Sequence, residues 1–166
     1  MTSNEDWQPA EGGCPCRNIR YRLERSPLVV HCCHCSWCQK ESGSAFALNI
    51  WIETKFVTLL SDEQPEIVPT PSESGLGQKM ARCPKCLFVV YSHYGDTGNN
   101  SMFLRAGTLD DPSKAPPSIH IFTASKQSWV LLNDNVPIKE EYYDKNEIWS
   151  KASLERLEEM RKTLGE

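Results

Sequence analysis

Eight cysteines stand in three tight clusters in this chain of 166 residues. A cysteine thiolate is both a nucleophile and a soft metal ligand. The first cluster is Cys14-Pro15-Cys16, directly after Gly12-Gly13. The second runs Cys32-Cys33-His34-Cys35-Ser36-Trp37-Cys38, and the third is Cys83-Pro84-Lys85-Cys86. A Cys-x-x-Cys pair in a turn aims two sulfurs at one tetrahedral ion, because the turn brings residues three apart close together. Two such knuckles, or one knuckle and a Cys-x-Cys, make a closed structural zinc site. The segment Cys83 to Cys86 is such a knuckle and needs two more sulfurs from elsewhere. Eight sulfurs allow one four-sulfur site with leftover thiols, or two closed four-sulfur sites.

Competing readings of the same residues are weaker. An even cysteine count also suits disulfides. The first residues, however, have neither the basic nor the apolar region of a secretory signal. The expected location is therefore the cytoplasm or nucleus, where thiols stay reduced and clustered cysteines indicate metal or catalysis. Cys83 and Cys86 would suit a thioredoxin-like redox pair, but no βαβ pattern leads into them. Free cysteines buried as small hydrophobes would not need such tight clustering.

Composition narrows the function classes. With 39% hydrophobic and 24% charged residues, the chain is neither collagen-like nor wholly disordered. No apolar run approaches the ~18 residues that span a bilayer, so no membrane role is expected. Asp plus Glu number 22 against 18 Lys plus Arg, a net charge of -4. Phosphate contact needs the opposite balance, so no nucleic-acid partner is expected.

The elements that must position the cysteines read as strands. Residues 18–30 alternate as a strand, a turn at Ser26-Pro27 and a second strand. Residues 45–60 form one or two strands rich in β-branched and aromatic residues. Residues 61–78, rich in Pro, Ser, Glu and Gly, read as a loop. Residues 87–94 and 101–106 are strands separated by a GDTGNN turn, and SIHIFTASKQSWVLL (118–132) is again strand-like. Between Asn146 and Leu164 the apolar residues are spaced as on one amphipathic helix. It would pack on the core or against a second copy, leaving a homo-oligomer open. Residues 1–10 are polar and expected to be flexible.

Five spaced motifs together resemble the glutathione-dependent formaldehyde-activating enzyme family, which also includes centromere protein V. They are GGCPCRNIRY (12–21), CHCSWCQKESGSAF (33–46), CPKC (83–86), GTLDDP (107–112) and HIFTASKQSW (120–129). The resemblance covers about residues 11–138, leaving 139–166 as a helical extension. It implies a mainly β fold of antiparallel sheets, a zinc-held β-tent, followed by the C-terminal amphipathic helix. It further implies a structural zinc on Cys14, Cys16, Cys83 and Cys86. A second, open zinc would sit on Cys33, Cys35 and Cys38. Two departures are present: Arg17 and Leu87 stand where the family has Gly after each knuckle. They are expected to alter turn geometry rather than zinc binding. Cys32 is extra; it could close the second site, or form a knuckle with Cys35.

Three thiolates give a divalent ion a net negative charge and weak Lewis acidity. Such a centre is better at holding an incoming thiolate than at polarising a carbonyl. The implied reaction joins a thiol such as glutathione to an aldehyde, a carbon–sulfur lyase or synthase forming S-hydroxymethylglutathione. The alternatives are a non-catalytic zinc scaffold for a protein partner, or an enzyme of the same fold acting on another small electrophile. Glutathione is anionic, so Lys40, Arg105 and Lys126 are candidates to pair with its carboxylates, with Ser44 and Phe46 lining the pocket. Each of these also fits a plain role: a solvated charge for the cations, a core position for Phe46. His34 would face solvent or relay protons. His120 and Trp129 read as packing residues, and Asp110 and Asp111 as a turn before Pro112.

Overall fold

Short alternating segments bury their apolar sides only by pairing with one another and stacking in layers. The computed structural model describes residues 7–72 and 74–163; residues 1–6 of the segment expected to be flexible, and Leu164 of the expected helix, lie outside the described residues. In chain order the elements are β1 (Ala10–Gly13), β2 (Arg20–Leu23), β3 (Val29–Cys33), α1 (Ser36–Ser42), β4 (Ala47–Glu53), β5 (Val57–Leu59), β6 (Glu66–Thr70), β7 (Gln78–Arg82), β8 (Val89–Tyr94), β9 (Ser101–Arg105), β10 (Ile119–Ile121), α2 (Lys145–Ile148) and α3 (Lys151–Lys162). The small sheet has the order β1-β2-β5. The large one runs β10-β3-β4-β9-β8-β7-β6. The fold is mainly β, as expected.

Strand parity assigns the two cores. Even-numbered Val30, Ile50 and Ile52 join Tyr21 and Leu23 of the small sheet and Leu104 of β9, filling the space between the sheets. Odd-numbered Val29, Cys33 and Trp51 point the other way, where Trp149, Leu157 and Met160 of the C-terminal segment cover them. The Trp149 ring meets Trp51 edge-on at 5.0 Å, and its Nε1 donates to the Tyr143 hydroxyl at 2.7 Å. Arg156 of α3 reaches the same face of β4. Its Nε donates to Glu53 Oε1 at 2.8 Å, with both residues buried.

The structure corrects several sequence expectations. The segment 61–78 holds β6, paired antiparallel with β7 at the edge of the large sheet. Pro69 is tolerated there because an edge strand leaves one side unpaired. Of the strand-like run 118–132, only Ile119–Ile121 is a strand, and it pairs parallel to β3 in an otherwise antiparallel sheet. Phe122 takes a left-handed backbone with φ of 56° and turns the chain into a short 3-10 segment. Trp129 therefore has no sheet face to alternate onto and is exposed rather than packed. The single helix expected from 146 is two helices. Trp149 adopts extended backbone to reach Trp51, and Ser150 restarts the helix by accepting the Ser153 N–H at 3.1 Å.

Candidate metal centres

Cys14 and Cys16 lie in the β1–β2 connection, and Cys83 and Cys86 in the β7–β8 connection, so the two pairs come from different sheets. Their four sulfurs lie within 4.8 Å of one another. Cys14 to Cys16 is 3.4 Å, and Cys16 to Cys83 is 3.6 Å. Sulfurs placed ~2.3 Å from a tetrahedral zinc are about 3.8 Å apart, so the donor set fits that ion. Backbone N–H groups support the sulfurs: Ile19 donates to Cys14 Sγ at 3.3 Å and Cys86 to Cys83 Sγ at 3.5 Å. Gly13 permits the tight approach. A Cβ there would lie 2.2 Å from the Ile19 carbonyl oxygen, which accepts the Cys14 N–H.

The residues after the two knuckles, Arg17 and Leu87, have φ of 61° and 62°. The turn geometry is thus kept, with side chains in a region that favours glycine. Left-handed backbone costs an ordinary residue ~1–2 kcal/mol, partly offset by the chain freedom a glycine loses on folding. Leu87 is largely exposed, so little burial is lost on removing it. Leu87→Gly is expected to stabilise the metal-loaded protein by about 1 kcal/mol, raising Tm by ~2–4 °C. An unchanged or lower Tm in a thermal melt would refute this.

The second trio, Cys33, Cys35 and Cys38, also converges within 4.8 Å. Cys33 ends β3, while Cys35 caps α1 and its Sγ accepts the Cys38 N–H at 3.3 Å. Cys33 is buried, and its two partners are half-buried. The three groups shift one another's ionisation. Hydrogen bonds from Cys33 and Cys38 hold Cys35 far below the usual thiol range. Hydrogen bonding to Cys35 and Cys38, together with burial, keeps Cys33 protonated. Cys38 is drawn down by its hydrogen bond with Cys33 and by the Arg105 charge, but Cys35 and burial prevail and push it up to about 12. A cluster that resists full ionisation by itself has the chemistry of a cation site: a divalent ion would replace the remaining protons.

Cys32 does not close this trio. Adjacent residues of a strand face opposite sides, and Cys32 points with Val30 while Cys33 points with Val29. Its sulfur lies instead with His34 and His120. Nor does it form a knuckle with Cys35.

The other candidates fall in several different surroundings. Arg105, at the end of β9, donates to Glu41 and Asn49, and both ion-pair partners are largely shielded. Lys126 Nζ donates to the Val130 carbonyl at 2.7 Å. Lys40 and Ser44 are exposed on and after α1. His34 is fully buried rather than facing solvent, with its ring 5.4 Å from that of Phe46. His120 is buried but polar-bonded, to His34 and Asp134, so it is more than a packing residue. Asp111 caps the turn at Pro112 as expected, while Asp110 pairs with Arg20. Sequence reasoning missed Glu41, Asp134 and the grouping of Cys32 with His120. The i, i+2 spacing of Cys32 and His34 was a usable signal; the other pairings depend on register across the sheet. A groove of about 580 Å³ lies at the far β6–β7 end and includes no cysteine.

The family model for the glutathione-dependent formaldehyde-activating enzyme matches residues 9–125. Among curated proteins none matches this sequence. A crystal structure of a Rhodobacter sphaeroides protein is similar at 14% identity over 60% of this chain and 87% of that one, with a TM-score of 0.44.

Proposed function

This chain belongs to the glutathione-dependent formaldehyde-activating enzyme family, and from that membership we propose that it reversibly joins a thiol such as glutathione to an aldehyde such as formaldehyde. The observation that carries the reading is the trio Cys33, Cys35 and Cys38. Three thiols converge with two of them half-exposed, and no fourth protein donor joins them among the described residues. A zinc ion held by these residues would coordinate an incoming thiol and lower its pKa, so that it is held as thiolate at neutral pH.

The chain's own residues do the rest. Cys33 is fixed by strand β3, and Cys35 and Cys38 by the first turn of α1, so the face left open has a set direction. Exposed Lys40 is a candidate to meet a carboxylate of a glutathione-like thiol, while Lys126 is bonded to the Val130 carbonyl and Phe46 packs beside His34. Arg105 is already paired with Glu41, so its part is to hold Glu41 and Asn49 in place beside the trio. Holding thiol and aldehyde side by side turns a bimolecular addition into an effectively unimolecular one. The sulfur lone pair forms the new carbon–sulfur bond, the carbonyl π pair moves to oxygen, and that oxygen takes a proton. The thiol proton leaves to solvent.

Exchange spectroscopy by NMR on glutathione, formaldehyde and their adduct tests this directly. The wild type is expected to exchange the three faster than the spontaneous reaction. Cys35→Ser is expected to lose that acceleration together with one zinc equivalent. A wild type no faster than buffer would leave a non-catalytic zinc scaffold as the reading.

A further inference from the structure

The third group of donors lies on the opposite side of β3 from the trio. Cys32 and His120 are directly paired residues of the parallel strands β3 and β10, so their side chains share one face of the sheet. His34, two residues beyond Cys32, turns back to the same place. Its Nε2 is 3.5 Å from Cys32 Sγ and 3.0 Å from His120 Nδ1. All three donor atoms lie within 4.8 Å of one another, and all three residues are buried.

A second feature points to a ligand. His120 Nε2 lies 2.9 Å from Asp134 Oδ2. In the tautomer where the carboxylate accepts the Nε2 proton, the Nδ1 lone pair faces Cys32 and His34; His34 Nε2–H then donates to it, and a bound cation would replace that proton. A carboxylate behind a histidine that presents its other nitrogen is the usual outer support of a metal-ligating imidazole. In a tetrahedral zinc site, sulfur and nitrogen donors are about 3.6 Å apart and two nitrogens about 3.3 Å. The 3.5 Å sulfur–nitrogen distance is close to the first figure, and a few tenths of an ångström of ring movement would meet the second.

We propose that Cys32, His34 and His120, supported by Asp134, form a further metal site for a borderline-soft divalent cation of the zinc class. It is separate from both all-sulfur clusters. One thiolate and two neutral imidazoles leave the bound ion with a net positive charge, the reverse of the Cys33–Cys35–Cys38 centre. All three donors are buried, and the site would tie β10 and, through Asp134, the 126–136 segment to β3; three protein donors leave the fourth position to a further ligand. The proposal stands without the proposed reaction.

The test is metal content with and without Cys32, on the full chain purified without chelator and dialysed against zinc. Cys32→Ala is expected to hold one zinc equivalent fewer than the wild type, while Cys35→Ser separately reports on the other centre. Asp134→Ala is expected to weaken the affinity of that one site by ~10–100-fold. Equal zinc content in wild type and Cys32→Ala would overturn the proposal. Should Cys32→Ala fail to fold, cadmium-113 NMR of the cadmium-loaded wild type decides it. A resonance shifted well upfield of the all-sulfur signals is expected, and a spectrum containing only all-sulfur signals would overturn the proposal.

Discussion

Cys83→Ser is expected to abolish one zinc equivalent and to lower stability by about 4 kcal/mol or more. Tm should then fall by roughly 10 °C or more, at ~2–4 °C per kcal/mol for a chain of this size. Cys83 and Cys86 belong to the large sheet, and Cys14 and Cys16 to the small one. The cluster therefore ties the edge of one sheet to the other. Zinc contributes ~10–16 kcal/mol to free-standing fingers, against ~5–15 kcal/mol for the whole stability of an ordinary domain. Here a core of large buried residues, among them Tyr21, Ile50 and Leu104, carries part of the load, so the loss is smaller than in a finger. Chelating the wild type should reproduce the effect without altering any side chain. A melt that stays the same after the chelator has removed that zinc equivalent would sink the assignment.

Arg156→Met is expected to cost ~3–5 kcal/mol, the usual result of removing one partner of a buried ion pair. The Arg156 guanidinium makes two bonds to Glu53, at 2.8 Å and 2.5 Å, and a third at 3.1 Å to the Ser26 carbonyl. Glu53 is 2% exposed and would be left as an uncompensated charge on the floor of the large sheet. Replacing both residues, Arg156→Met with Glu53→Leu, should recover most of the loss, because the penalty belongs to the orphaned carboxylate. A double-mutant cycle in denaturant reads the coupling directly. Additive losses would mean that α3 is held by its apolar contacts alone, through Leu157 and Met160.

Both outcomes concern attachments that local sequence encodes unequally. The cysteine clusters are visible in the sequence because metal chemistry demands sulfurs at short, regular spacing, and Gly12-Gly13 marks the close approach that Cys14 needs. The strands around residues 20–23, 29–33, 47–53, 89–94 and 101–105 are visible because each alternates or is continuously apolar. Strand β6 was hidden, since an edge strand tolerates Pro and polar residues that ordinarily mark a loop. The Arg156–Glu53 pair was equally hidden. Arg156 reads as one more charge on an amphipathic helix until the helix is placed on the sheet.

Family, mainly β architecture and the three places where sulfurs gather are all legible in residue order. How those sulfurs are shared out among sites is a property of the assembled sheets. Strand parity sends Cys32 and Cys33 to opposite faces, and the parallel pairing of β10 with β3 sets His120 beside Cys32. Ligand spacing within a turn is a local property of a few residues, whereas the face and register of a strand are fixed by burial against elements far along the chain, as His120 is from Cys32.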